Sequence, residues 1–170
     1  IGFFPDIGSV YFLEKLEAYF GTFLAVTGAI IGANDTLRSG IGTHYMKTAV
    51  MDKFIKDLGL ALRDFSDSYD AVPVIESMIA RMKARIGKSD DDLIPAKQDI
   101  IGRCFAADTV EDIVENLAAE DSDWAQDQLT LIQSRSPLSV KIAFSHIRQA
   151  KDVEMDEILE RDLKLSDFFM

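Results

Sequence analysis

Apolar residues recur at helical spacing along most of the chain, and the places where that rhythm fails mark the elements. Val10 to Phe20 is apolar on most sides, with Glu14, Lys15 and Glu17 as a narrow wet edge, which predicts a buried helix. Gly21-Thr22 breaks the run, and Phe23 to Thr27 predicts a short apolar helix with Gly28 as its C-cap. Asn34 or Asp35 then opens a short helix that stops at Gly40. Ile41 to Met46, rich in β-formers, predicts the one strand. From Lys47 onward two stripes, Val50, Met51, Phe54, Ile55 and Leu58, then Ile75, Met78, Ile79, Met82 and Ile86, predict helices with core faces. Gly87 to Pro95, carrying Lys88-Ser89-Asp90-Asp91-Asp92, predicts a loop and an internal boundary.

The last third carries clear start signals. Asp108-Thr109 opens a helix with Val110, Ile113, Val114 and Leu117 on one face, and Glu111 and Asp112 complement the dipole of its first turn. Ser122 caps the next helix, which buries Ala125, Leu129 and Ile132 with Trp124 close by. Ser136-Pro137 places a cap and then Pro at N1 ahead of Val140, Ala143, Phe144 and Ile147. A final helix from about Val153 is expected to bury Met155, Ile158, Leu159 and Leu163.

At the other end, Pro5 fixes its own φ and holds Phe4 extended, so Asp6 points in a defined direction. Gly8 permits a tight turn and Ser9 reads as the N-cap of the following helix, which puts Asp6 near the positive end of its dipole. An Asp between Pro and Gly more often makes an Asx turn or a cap than chemistry, and the spacing alone leaves both readings open.

Composition narrows the classes. With 170 residues and 48% hydrophobic residues the chain can bury a normal core. A formal charge of −11 speaks against nucleic acid, which needs clustered Lys and Arg. Cys104 to Ser134 contains no Lys or Arg and many carboxylates, which reads as a solvated helix face. No apolar run reaches the roughly 20 residues that span a bilayer, so no membrane role is expected. The single cysteine, Cys104, forms no intramolecular disulfide and suits a reducing compartment.

Familiar catalytic motifs are missing: there is no phosphate-cradling Gly loop, paired Cys or HExxH, and no metal site is expected. His146 reads as a surface or packing residue, His44 as a structural His at a strand end, and Cys104 as a small core residue. No second carboxylate in the local sequence must face Asp6.

The segment Ile1-Gly2-Phe3-Phe4-Pro5-Asp6-Ile7-Gly8 resembles the one that follows the catalytic Glu in 3-hydroxyisobutyryl-CoA hydrolases, within the enoyl-CoA hydratase/isomerase (crotonase) superfamily. The likeness continues through Leu24-Ala25-Val26-Thr27-Gly28, Gly40 to Tyr45, Arg103-Cys104-Phe105, Asp108 to Ile113 and Ser136 to Lys141, in family order. It departs at Ser9-Val10, where the family commonly has further glycines and where side chains narrow the space beside an acyl group.

This resemblance implies a mainly α chain forming the latter part of an α/β crotonase fold, with the strand-rich N-terminal core, the oxyanion-hole glycines and the catalytic Glu lying before residue 1. Residues 1–46 would end the crotonase core, 47–94 would be a helical segment, and 95–170 a C-terminal helical region. The implied activity is hydrolysis of a short branched 3-hydroxyacyl-CoA thioester in valine catabolism, in bacterial cytoplasm or mitochondrial matrix. Asp6 matches the family's catalytic Asp, where ordinary hydratases generally have a small residue, and Phe4, Pro5 and Gly8 would bind substrate. Lys141, Arg148 and Lys151, on or beside one helix, are the candidates for coenzyme A. No cofactor is implied beyond the coenzyme A of the substrate, and self-association through the helices is expected. The alternatives are a hydratase or isomerase of the same superfamily, and a helical interaction module without chemistry.

Overall fold

The computed structural model describes residues 2–63, 68–81 and 93–169. Among these every regular element is helical: α1 (Ser9–Leu13), a 3-10 turn (Glu17–Tyr19), α2 (Phe20–Thr27), α3 (Ala33–Arg38), α4 (Thr48–Ala61), α5 (Ser68–Arg81), α6 (Leu93–Phe105), α7 (Val110–Ala119), α8 (Asp123–Gln133), α9 (Pro137–Arg148) and α10 (Met155–Phe169). They form two compact units, residues 1–32 with 92–170, and residues 33–91. The first unit joins both ends of the chain, where three successive segments were expected, because α2 packs on α6, α8 and α9.

In that larger unit Phe23 is fully buried, meets Phe105 edge-on at 5.3 Å and lies 5.8 Å from Trp124. Ile101, Ile113, Leu117, Ile132 and Val140 close the same core from α6 to α9. The caps hold as the sequence indicates: the hydroxyls of Thr109, Ser122 and Ser136 accept the amide protons of Asp112, Ala125 and Ser139. Each such cap stabilises its helix by about 1 kcal/mol. Gly28, left-handed at φ 64, ends α2 and donates its N–H to Leu24. A smaller cluster of Val10, Leu13, Ile147, Ala150 and Ile158 fastens α1 to α9 and α10.

The expected helix from Val10 to Phe20 is instead broken after Leu13, and Ala18 and Tyr19 turn left-handed at φ 51 and 58 before α2 begins. Crossing distance explains the break. A Cβ on Gly21 would stand 1.7 Å from the Leu13 carbonyl oxygen, so α1 and α2 touch backbone to backbone there, and a straight helix could not bring them together. Gly21 therefore lies inside α2 rather than ending a run.

The N-cap of α1 is Gly8, at φ 72, and not Ser9, whose hydroxyl is buried with no partner among the described residues. In α10 only Ile158 among the four expected apolar residues is buried. Met155, Leu159 and Leu163 are exposed, and Asp162 takes the inward position one turn beyond Ile158.

The smaller unit holds α3, α4 and α5. Its stripes are less buried than the pattern implied: Phe54, Leu58, Ile75, Met78 and Ile79 are half-buried, while Val50, Met51 and Ile55 are exposed. Two long helices and one short one enclose too little volume to cover a full stripe. Met82, Ile86 and residues 87–92 of the expected loop lie outside the described residues; Leu93, Ile94 and Pro95 already belong to α6. Residues 41–46 are irregular, with bends at 41 and 43, instead of the expected strand, since among the described residues no strand lies beside them to share a ladder. His44 is exposed there, its Nδ1 3.0 Å from Thr43 Oγ1.

Candidate functional site

A cleft of about 360 Å³ opens where the first residues of the chain run between the end of α2 and the start of α9. Phe3, Phe4 and Pro5 form one wall, Leu24 to Gly28 the second, and Arg135, Ser136, Ser139 and Val140 the third. Arg135 Nε donates to the Thr27 carbonyl at 3.2 Å, tying the last two walls together. The Phe4 ring is 5% exposed, packed 5.6 Å from Phe169 and edge-on to His146 at 5.9 Å.

Asp6 follows Pro5 and is half-buried; it does not itself line the cleft. Its carbonyl accepts the Ser9 amide proton at 3.1 Å, closing a tight turn, while among the described residues no hydrogen bond or ion pair reaches its carboxylate. The turn is strained: Ile7, β-branched and 83% exposed, sits at φ 54. Gly8 follows at φ 72, a left-handed conformation that favours glycine; a Cβ there would approach the Met155 sulfur to 2.7 Å, a contact that the flexible, exposed Met155 side chain can relieve by moving.

Holding the turn is a buried polar group. Asp162 Oδ2 accepts the Gly8 N–H at 2.7 Å, and its Oδ1 lies 2.6 Å from His146 Nε2. A proton on His146 Nε2 lets both carboxylate oxygens accept. A hydrogen bond to a charged group stabilises by about 1.5–3 kcal/mol, enough to offset the roughly 1–2 kcal/mol cost of a left-handed β-branched residue. His146, expected as a surface or packing residue, is thus a buried hydrogen-bonding one.

The three candidate cations lie elsewhere. Arg148 gives its guanidinium to the carbonyls of Phe105 and Ala107 at 3.0 and 2.7 Å, and packs over the rings of Tyr19 and Phe144. Arg148 and Lys151 line a hollow beside Tyr19, while Lys141 and Arg148 line another beside Glu111. Lys141 pairs with Glu111 across α7 and α9, and that bond holds the Glu111 carboxyl below the usual carboxylate range. Of the expected site residues, Phe4 and Pro5 line the cleft, Asp6 and Gly8 lie in the turn that follows it, and Lys141, Arg148 and Lys151 lie outside it. Cys104 is 1% exposed, and burial raises its thiol pKa, in keeping with a core role. Among the described residues no three His, Cys, Asp or Glu gather as a metal site, and no helix is long and apolar enough to cross a membrane.

Sequence reasoning missed Asp162 and His146. One signal was present: Asp162 follows Ile158 by four residues and so shares its buried face.

The enoyl-CoA hydratase/isomerase family matches residues 1–170, and the chain belongs to that family. It is 35% identical to the mitochondrial 3-hydroxyisobutyryl-CoA hydrolase of Rattus norvegicus and 34% to that of Homo sapiens, over 98% of its own length in both cases. It spans 42% of the length of each of those relatives. Its fold is similar to the crystal structure of a carnitinyl-CoA dehydratase from Mycobacterium thermoresistibile, with TM-score 0.78 and 25% identity, covering 95% of this chain and 44% of that one.

Proposed function

We propose that this chain supplies one wall of the active site of a coenzyme A thioester hydrolase acting on 3-hydroxyisobutyryl-CoA. The observation that carries the reading is Asp6: a half-buried carboxylate without a partner among the described residues, fixed in a strained turn directly after cleft-lining Pro5. The names of the curated relatives support the substrate.

In the reaction water adds to the thioester carbon, the carbonyl oxygen gains negative charge, and the intermediate collapses to 3-hydroxyisobutyrate and free coenzyme A. Backbone N–H donors stabilise that charge by a few kcal/mol each. Asp6 binds the substrate's 3-hydroxyl and orients the hydrolytic water, working with a Glu supplied by another part of the enzyme. Phe4 and Pro5 shape the acyl side of the cleft, and Gly8 fixes the turn. Lys141 and Lys151 meet the nucleotide phosphates from the surface, while Arg148 holds the ground between them. No cofactor takes part besides the coenzyme A of the substrate. The compartment is bacterial cytoplasm or mitochondrial matrix, and exposed helical stripes support self-association.

The likeness to a carnitinyl-CoA dehydratase favours one second reading, addition or removal of water at an enoyl thioester. Product analysis with the full-length enzyme separates the two. Free thiol and 3-hydroxyisobutyrate support hydrolysis; conversion between enoyl and hydroxyacyl thioester without thiol release rejects it. The 170 residues alone are expected to release no thiol from acyl-CoA.

A further inference from the structure

The loop that carries Asp6 is held from both sides by a single buried pair. Before Asp6, the Phe4 ring packs edge-on against the His146 imidazole at 5.9 Å. After it, the Gly8 amide donates to Asp162 at 2.7 Å, and Asp162 is in turn bonded to His146 at 2.6 Å. Both residues are 5% exposed, and they come from two different helices, α9 and α10. Between the anchors stands Ile7 in a left-handed conformation that an isolated chain avoids. Ile7 itself is 83% exposed, so no packing of its side chain sustains that conformation. What sustains it is the bond at Gly8, together with the Asp6 to Ser9 turn.

A buried carboxylate is costly unless its oxygens are occupied, and here they serve one backbone amide and one imidazole. Ile158, one turn earlier on α10, is fully buried against α1 and α9, so apolar packing already docks the helix without Asp162. An apolar residue at position 162 would dock α10 as well but would leave the Gly8 amide unpaired.

We propose that Asp162, oriented by His146, is a positioning residue that fixes the direction of the Asp6 carboxylate through the Gly8 amide. This rests on the reading of Asp6 as catalytic. Misplacing a catalytic group by about 1 Å can cost on the order of 100-fold in rate. The pair thereby couples the C-terminal helix to the chemistry.

The test is a double-mutant cycle in the full-length enzyme with 3-hydroxyisobutyryl-CoA, joined to amide exchange of the Gly8 segment. Asp162→Ala is expected to lower kcat by about 30- to 100-fold with KM within about threefold. In the Asp6→Asn background it is expected to lower kcat by less than about threefold, because the group it positions is gone. Equal losses in both backgrounds, or an unchanged kcat in the first, overturn the proposal. Should Asp162→Ala fail to accumulate folded, Asp162→Leu takes its place: it keeps an apolar contact for docking α10 and leaves the Gly8 amide unpaired, so the same loss of kcat and the same coupling to Asp6→Asn are expected, and a loss equal in both backgrounds overturns the proposal here too.

Amide exchange separates the two ideas. If Asp6→Asn alone keeps near-normal turnover, the catalytic reading of Asp6 falls and the anchor is judged by exchange. Gly8 exchange about tenfold faster in the Asp162 variant upholds the anchor, and unchanged exchange overturns it.

Discussion

Ile7 shows how a single residue can work against its own fold. Its side chain gains nothing from burial, while its φ of 54 costs roughly 1–2 kcal/mol. Glycine would remove that strain but would lose about 0.5–1 kcal/mol to the freer unfolded chain. Ile7→Gly is therefore expected to stabilise by up to about 1 kcal/mol, read as a higher urea midpoint at unchanged m. Cys104 illustrates the opposite case. Burial raises its pKa, so the folded state keeps the proton that the unfolded state gives up. Its contribution is whole below the ordinary thiol value of about 8.5 and is lost as pH rises toward the folded one. Iodoacetamide is expected to leave the native thiol unmodified at neutral pH and to alkylate it once urea unfolds the protein. The turn around Asp6 was legible because Pro5 and Gly8 announce it. Asp162 was not, since its backbone partner Gly8 lies 154 residues away.

At the scale of elements, the crossing of α1 and α2 sets the sharpest test. In an ordinary helix Gly→Ala stabilises by about 1 kcal/mol, but Gly21→Ala puts a methyl 1.7 Å from the Leu13 carbonyl. Sterics win over propensity, and the variant is expected to lose about 3 kcal/mol or more in thermal or urea unfolding. The helices that begin at Thr109, Ser122 and Ser136 were legible because a cap is a local feature, satisfied within three residues. The face of α10 was not local. Met155, Leu159 and Leu163 make a stripe in sequence, yet the helix turns Ile158 inward against α1 and α9, and Asp162, one turn on, thereby meets the Gly8 amide and His146. Residues 41–46 failed as a strand for a related reason: β-propensity describes fit to a neighbouring strand, and among the described residues there is none.

For the molecule as a whole, the aromatic core and the candidate cleft lie in the same unit. Residues 1–32 with 92–170 hold the aromatic core and the cleft, whereas α4 of the smaller unit buries no residue. Hydrogen exchange followed by mass spectrometry is expected to find the amides of α2 and α9 far better protected than those of α4; equal protection would contradict that division. The mainly helical character was legible from periodicity. The joining of both chain ends into one unit was not, because periodicity does not say which stripes meet. The claim at the centre of this account is that Asp6 takes part in thioester hydrolysis. Steady-state thiol release from 3-hydroxyisobutyryl-CoA, compared between the full-length enzyme and its Asp6→Asn variant, tests it most directly. The account predicts a kcat at least about 100-fold lower in the variant, and turnover within about threefold of the parent would contradict it.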